Sequence, residues 1–231
     1  MRAIRTLARL LMGLALVLPV AATAASDQEA KLSEVMDVLD ALVRIPENRI
    51  PPALLRNARG IAVIPSVLKV GLVIGGRYGK GVMLVRRDDG HWSDPAFVSI
   101  KGGSVGWQIG AQSTDVILVF KSRRSIEGLI DGKFTLGVDA AVAAGPVGRQ
   151  AAAATDAQLA AEIYSYSRSR GLFAGVSLDG AALQMENGDN QLYYRSFDVT
   201  PEQIFAGRNV HTPSSASELR DLLVRYQEGG A

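Results

Sequence analysis

The stretch Pro95–Phe120, PAFVSIKGGSVGWQIGAQSTDVILVF, decides the fold because its middle fits two different structures. Gly102, Gly106 and Gly110 stand four residues apart, which is the spacing of a glycine zipper on a helix. The same segment also alternates small and apolar residues at the period of a β-strand. A helix would contain several interior glycines, each costing about 0.5–1 kcal/mol relative to alanine. The pattern therefore predicts a strand whose glycine face another element approaches closely.

The rest of the chain extends this β pattern on both sides and adds helices at the ends. Short runs rich in valine and isoleucine, separated by glycine, continue from about residue 61 to residue 183. Residues 26–44 are amphipathic with an acidic polar face, which favours packing on the body of the protein over anionic lipid. We therefore predict an α+β fold, a curved antiparallel β-sheet that is partly barrel-like and is flanked by N- and C-terminal helices.

Local signals predict where several of these elements begin and end. Pro51-Pro52 opens a short helix, and residues 122–132 form another that Gly132 closes. The remaining predictions are a loop at ENGDN, 186–190, a capping box at Thr200–Gln203, and a second box at Ser215–Glu218 that starts the last helix.

The N-terminus has the three parts of a secretory signal. Basic residues occur in the first nine positions, Leu10–Val20 is apolar, and Ala22-Thr23-Ala24 is a small-residue cleavage site. We therefore expect residues 1–24 to be a signal peptide and residues 25–231 to form a single domain. The expected location is periplasmic or secreted, peripheral to an outer membrane. The chain has no cysteine, so no disulfide stabilises it.

Removal of the signal peptide changes the charge balance. The full chain has a formal net charge of +2, and the leader carries three arginines and no acidic residue, which leaves −1. Without a broad basic field, nucleic acid is not expected as a partner.

The catalytic, nucleotide-binding and metal-binding motifs that the sequence suggests are all incomplete. Gly102–Gly106 matches the G-x-S-x-G string of hydrolases, with Ser104 as the nucleophile, but alternation continues through it where a strand-to-helix turn is required. The glycine-rich segment 75–81 fails the spacing of a nucleotide-binding loop. Two distant histidines make a zinc site improbable, and the 186–190 segment lacks the EF-hand spacing. We expect no enzymatic activity, no metal and no other cofactor.

Four segments resemble the SYLF-domain lipid-binding proteins. They are LLRNARGIAVIPSVLKVGLVIGGRYGKGVML (54–84), HWSDPAFVSIKGGSVGWQIGAQSTDVILVF (91–120), VAAGPVGR (142–149) and YSYSRSRGLFAGVSLDGAAL (164–183). The resemblance implies a non-enzymatic domain that binds phospholipids, particularly anionic and phosphoinositide headgroups. In some members a basic amphipathic N-terminal segment is held to contact lipid, and this chain departs there because its 26–44 helix is acidic.

We therefore expect a non-enzymatic phospholipid-binding protein of the cell envelope that contacts anionic headgroups at a membrane surface. Two alternatives stay open: a serine esterase or lipase using Ser104, and a structural envelope protein that binds a protein partner. With net charge near zero, local basic clusters must supply the attraction. The candidate lipid-binding residues are Lys69, Arg77, Lys80, Arg123, Arg124, Arg149, Arg168 and Arg170.

Overall fold

A computed structural model describes residues 20–44, 50–71, 74–105, 110–146, 161–169, 172–208 and 210–228. Within these ranges six helices surround one sheet of nine strands. The helices are α1 (Val20–Arg44), α2 (Pro52–Asn57), α3 (Arg123–Ile130), α4 (Asn187–Tyr194), α5 (Pro201–Ala206) and α6 (Ser214–Gln227). The strands are β1 (Gly60–Gly71), β2 (Ile74–Val85), β3 (Ala96–Val105), β4 (Gly110–Phe120), β5 (Phe134–Thr135), β6 (Val142–Ala144), β7 (Ile163–Ser169), β8 (Leu172–Gly175) and β9 (Ala182–Met185).

The sheet is strongly curled into a half-barrel. Eight strands lie in the order β5-β9-β3-β2-β1-β4-β7-β6, and β8 pairs with β7. Among these pairs of strands only β6 and β7 are parallel. The predicted α+β class, the curved antiparallel sheet and the flanking helices are confirmed.

The Pro95–Phe120 segment contributes two strands, β3 and β4, where the alternation predicted a strand through its middle, and residues 106–109 of that prediction lie outside the described residues. β3 ends at Val105 and β4 begins at Gly110, and the β1–β2 hairpin lies between them in the sheet. A local alternation cannot show that two other strands insert at its midpoint. The predicted close approach is confirmed at Gly102, where an added Cβ would lie 2.9 Å from the Cα of Ala181. Gly106 lies outside the described residues.

A bulge in β1 accompanies the curl of the sheet. Ile64 lies opposite Val116 of β4, whereas Val67 lies opposite Thr114, so β1 contains one extra residue between them. Ser66 adopts a φ of 53°, and its backbone N–H donates to Asp115 Oδ1 at 3.0 Å. A bulge bends its strand, increases the local twist and reverses which side chains point to each face beyond it.

The terminal helices pack on each other and on the sheet. Leu32, Val35 and Leu39 of α1 are fully buried, and the Tyr226 hydroxyl of α6 donates to the Leu39 carbonyl. The predicted stripe of α6, which includes Leu219, Leu222, Leu223 and Tyr226, is buried as well. The acidic helix therefore packs on the body, as predicted.

Most of the predicted helix ends are confirmed, and two local predictions were wrong. Pro52 starts α2, Ser122 caps α3, and the capping box at Thr200 is present at α5. The predicted loop at 186–190 instead enters α4, because Asn190 is buried and its Oδ1 accepts from Phe97 N at 2.7 Å. The second capping box is absent. α6 starts at Ser214, and the Ser215 hydroxyl contacts the Tyr193 hydroxyl at 2.7 Å instead.

None of the helices in the described ranges has the length and apolar character needed to cross a bilayer.

Candidate functional site

Strands β1 to β4 each have a buried end, which we call the closed end, and a more exposed end, which we call the open end. At the closed end nearly every residue is buried, whereas the opposite, open end exposes large apolar side chains. The closed end comprises residues 60–64, 81–85, 96–100 and 116–120, and the open end comprises 67–71, 74–79, 101–105 and 110–114.

One face of the open end carries three exposed apolar side chains, which we call the apolar face. Leu68 is 44% exposed, Val70 is 46% exposed and Tyr78 is 46% exposed. Leu68 lies directly opposite Tyr78, and Tyr78 lies directly opposite Lys101 of β3. The Lys101 ammonium lies 5.8 Å from the centre of the Tyr78 ring, so a cation borders this face.

The other face of the open end carries two cations, Lys69 and Arg77, which we call the basic pair. They occupy directly opposite positions on β1 and β2, with Gln112 and Gly102 as their outer neighbours on β4 and β3. The next positions on this face form a row of Gly110, Gly71, Gly75 and Ser104. Like charges directly opposite each other destabilise a sheet. Three of the four positions in this row are glycines and have no side chain beyond the backbone.

Arg77 has no carboxylate partner among the described residues. Its side chain is half-buried, and its Nε is buried without a hydrogen-bond acceptor in that part of the structure. Burial lowers the pKa of the guanidinium, which nevertheless stays charged at neutral pH. Lys69 likewise makes no ion pair with a described residue. The basic pair is therefore an uncompensated local charge.

Lys80, only three residues from Arg77 on β2, has a different environment. Its ammonium donates to Asp189 Oδ2 of α4 at 2.7 Å and lies 3.9 Å from Glu186. The hydrogen bond to Asp189 raises the pKa of Lys80. The structure thus separates two predicted site residues, since the charge of Lys80 is compensated and that of Arg77 is not.

The other predicted cations are scattered. Arg123 and Arg124 are exposed on α3, where Arg123 pairs with Asp88. Arg168 of β7 donates from Nε to Asp115 at 2.6 Å. Arg149 and Arg170 lie outside the described residues. Arg123 also lines a surface groove of about 700 Å³, but acidic residues line it too, namely Asp88, Asp89, Glu127 and Glu202.

The open end belongs to a stretch of the sheet without acidic residues. The sequence contains no aspartate or glutamate from residue 60 to residue 87 or from residue 95 to residue 114. Lys101 was missed as a candidate, as were the three apolar side chains. The absence of acidic residues from these two segments was the sequence signal that could have identified the whole end.

Ser104 and the acidic residues of segment 186–190 have environments unlike those of a hydrolase nucleophile and a calcium site. Ser104 lies inside β3 opposite Gly75, so the described backbone has no strand-to-helix turn at this position. The acidic residues of segment 186–190 face lysines, since Lys80 contacts Asp189 and Lys101 lies 3.6 Å from Glu186. No cluster of three or more metal-binding side chains occurs in the described ranges.

Comparison with known proteins identifies the family. The family model described as "Ysc84: Las17-binding protein actin regulator" matches residues 101–226. An SH3 domain-containing protein of Schizosaccharomyces pombe is 41% identical over 75% of this chain and 40% of its own length. The chain belongs to the Ysc84, or SYLF-domain, family. The resemblance found in the sequence is thereby confirmed.

Two further members of the Ysc84 family show how much of each relative is shared. Protein YSC84 of Saccharomyces cerevisiae is 37% identical over 75% of this chain and 37% of its own length. SH3 domain-containing YSC84-like protein 1 of Xenopus laevis is 34% identical over 79% of this chain and 54% of its own length. The chain thus spans about half or less of these relatives.

Proposed function

We propose that this protein is a non-enzymatic phospholipid-binding protein of the cell envelope, whose open end makes peripheral contact with anionic headgroups. The observation that carries the proposal is the basic pair. Lys69 and Arg77 are directly opposite each other across two strands, and neither forms an ion pair with a carboxylate of the described residues.

A phosphate between these two side chains would remove the cost of their arrangement. Their mutual repulsion and the partial burial of Arg77 both oppose folding unless an anion is bound. A guanidinium binds phosphate through two parallel hydrogen bonds, and an ammonium adds a point charge. The adjacent row contains Gly110, Gly71 and Gly75, and glycine in a strand permits a ligand to approach the backbone closely.

Local charge is the physical basis of the attraction in this proposal. The chain without its proposed leader has a formal balance of −1, so the whole-molecule charge does not favour an anionic membrane. Each basic residue near such a surface contributes about 1 kcal/mol. Lys69 and Arg77, in strand segments without acidic residues, keep their charge available to the membrane. Lys80 and Arg168 instead form ion pairs with carboxylates of the same chain.

The non-enzymatic part of the proposal rests on Ser104, and the envelope location rests on the N-terminal sequence. Ser104 continues the ladder of β3, whereas a nucleophile of the G-x-S-x-G class requires a strained turn. The basic, apolar and small-residue segments of residues 1–24 are those of an export signal.

A protein partner is the second candidate, and it is favoured by the description of the matching family as Las17-binding. This candidate predicts that vesicle binding is absent or independent of the basic pair. The same experiment therefore separates the two functions.

The test is sedimentation with vesicles of phosphatidylcholine alone or with phosphatidylglycerol, at low and high salt. Lys69→Gln/Arg77→Gln should bind the anionic vesicles about tenfold or more weakly than wild type, since two contributions are lost. Arg123→Gln/Arg124→Gln is the matched control, because it removes the same charge from an exposed helix. Equal binding by wild type and the Lys69/Arg77 variant contradicts the proposed site. No binding by wild type contradicts the proposed function.

A further inference from the structure

The apolar face begins where the helices stop covering the sheet. Lys80 and Tyr78 are two residues apart on β2 and therefore share a face. At Lys80 this face is covered by α4, whose Asp189 accepts from the Lys80 ammonium at 2.7 Å. At Tyr78 the cover has ended, and Leu68 and Val70 beside it are nearly half exposed.

The side chains of this face have the composition of a surface that lies at a lipid–water boundary. Leu68 and Val70 are purely apolar, while Tyr78 has an apolar ring and a polar hydroxyl, and tyrosine is enriched where one end is apolar and the other wet. The Lys101 ammonium lies 5.8 Å from the Tyr78 ring, and a lysine can keep its charge among phosphates while its stem covers apolar surface.

Charge selects a lipid surface as the occupant of this face. No acidic residue occurs in segments 60–87 and 95–114, and the basic pair lies on the opposite face of the same strands. On the apolar side Lys101 lies 3.6 Å from Glu186, so the uncompensated cations next to the apolar side chains are Lys69 and Arg77 of the opposite face. This arrangement complements an anionic bilayer, which offers phosphates outside and acyl carbons beneath them.

We propose that the open end enters an anionic bilayer to the depth of the upper acyl carbons, with Leu68, Val70 and Tyr78 inserted and the basic pair at the phosphates. The inference rests on the proposed function and adds a hydrophobic component to it. From the Leu68–Tyr78 row to the Val70 row is two residues, or about 7 Å along the strand. Interfacial segments bury their apolar groups by about 5–10 Å, which fits this length.

The first test separates the hydrophobic component from the ionic one. Leu68→Thr/Val70→Thr removes apolar surface but keeps residues suited to strands. Leu192→Thr/Val224→Thr is its matched control, since these residues are 48% and 39% exposed on α4 and α6. On vesicles with phosphatidylglycerol, wild type should retain measurable binding at about 1 M salt, where exposed charges are screened. The Leu68/Val70 variant should bind about tenfold more weakly at that salt, while the control matches wild type.

The second test measures insertion directly and does not depend on the stability of the double variant. Because the chain has no cysteine, a single introduced cysteine gives one labelling position. Val70→Cys with an environment-sensitive fluorophore should shift to shorter wavelength on anionic vesicles and be quenched by lipid-borne quenchers. Val224→Cys, labelled in the same way, should show neither change.

The outcomes distinguish this inference from the proposed function. If the Leu68/Val70 variant binds like wild type at both salt concentrations, or if the Val70 label stays unchanged on bound protein, insertion is wrong. The proposed function then still stands if the Lys69/Arg77 variant binds weakly. If light scattering shows a wild-type dimer that the Leu68/Val70 change converts to monomer, a second copy covers the face and insertion is overturned.

Discussion

The closed and open ends of the sheet belong to the same four strands, but they differ in whether nearby charged side chains have partners within the fold. Next to the closed end, just before β3, buried Asp94 lies 2.9 Å from an Arg220 guanidinium nitrogen and accepts from Thr212 Oγ1 at 2.6 Å. At the open end, Arg77 is half-buried without a carboxylate partner among the described residues. Removing one partner of an internal pair leaves a buried charge uncompensated, whereas a charge without a partner in the fold can gain one from a ligand.

The largest expected difference between the ends concerns two glycines of β2. In Gly81→Ala the new Cβ would lie 2.0 Å from the Val63 carbonyl oxygen, which is backbone that cannot yield without disturbing the β1 bulge. We expect a loss of about 3 kcal/mol or more in the free energy of unfolding. Gly76→Ala at the open end meets no atom within 4 Å and should change it by less than about 0.5 kcal/mol.

Chemical denaturation of both variants measures this contrast. Similar losses for Gly81→Ala and Gly76→Ala would show that the open end is packed as closely as the closed end. The uncovered surface on which both proposals depend would then be absent.

A smaller loss is expected when the pair next to the closed end is deprived of one partner. Arg220→Met leaves the Asp94 carboxylate buried, and thermal unfolding should show a loss of about 2–3 kcal/mol, because Arg220 is itself partly exposed. Arg225→Met removes an exposed arginine from the same helix and serves as the control. If the two variants are equally stable, pairing next to the closed end does not matter to the fold.

The smallest effect compares two cations on one strand. Lys80→Gln should cost about 0.2–1 kcal/mol because it breaks a partly exposed ion pair with Asp189. Arg77→Gln should cost nothing or stabilise slightly in the absence of lipid, because it relieves desolvation and repulsion from Lys69.

The pH dependence of the Lys80 effect has a defined sign. The pKa of Lys80 is raised in the folded state by the hydrogen bond to Asp189. The stability that this pair contributes is therefore complete below the ordinary lysine pKa and is lost as the pH rises through the raised value. Denaturation of wild type and Lys80→Gln at neutral and alkaline pH should show their difference disappearing. A difference that grows with pH would refute this assignment.

The sequence predicted those parts of the fold that depend on neighbouring residues. The helix at 122–132, the proline start of α2 and the capping box at Thr200 all rest on side chains within a few positions of the backbone that they stabilise. The buried stripe of α6 follows from helical periodicity alone. The family was also readable, because its characteristic strings are continuous segments.

Only the tertiary structure decided the candidate site, because its properties depend on residues distant in the chain. Lys80 and Asp189 are 109 positions apart, so their pairing cannot be inferred from either neighbourhood. The β1–β2 hairpin lies between β3 and β4, although the Pro95–Phe120 pattern runs on without a visible break. Register across strands placed Lys69 opposite Arg77, and the limit of helix cover exposed Leu68, Val70 and Tyr78. A sequence determines which residues favour a strand, but pairing partners and coverage depend on the whole fold.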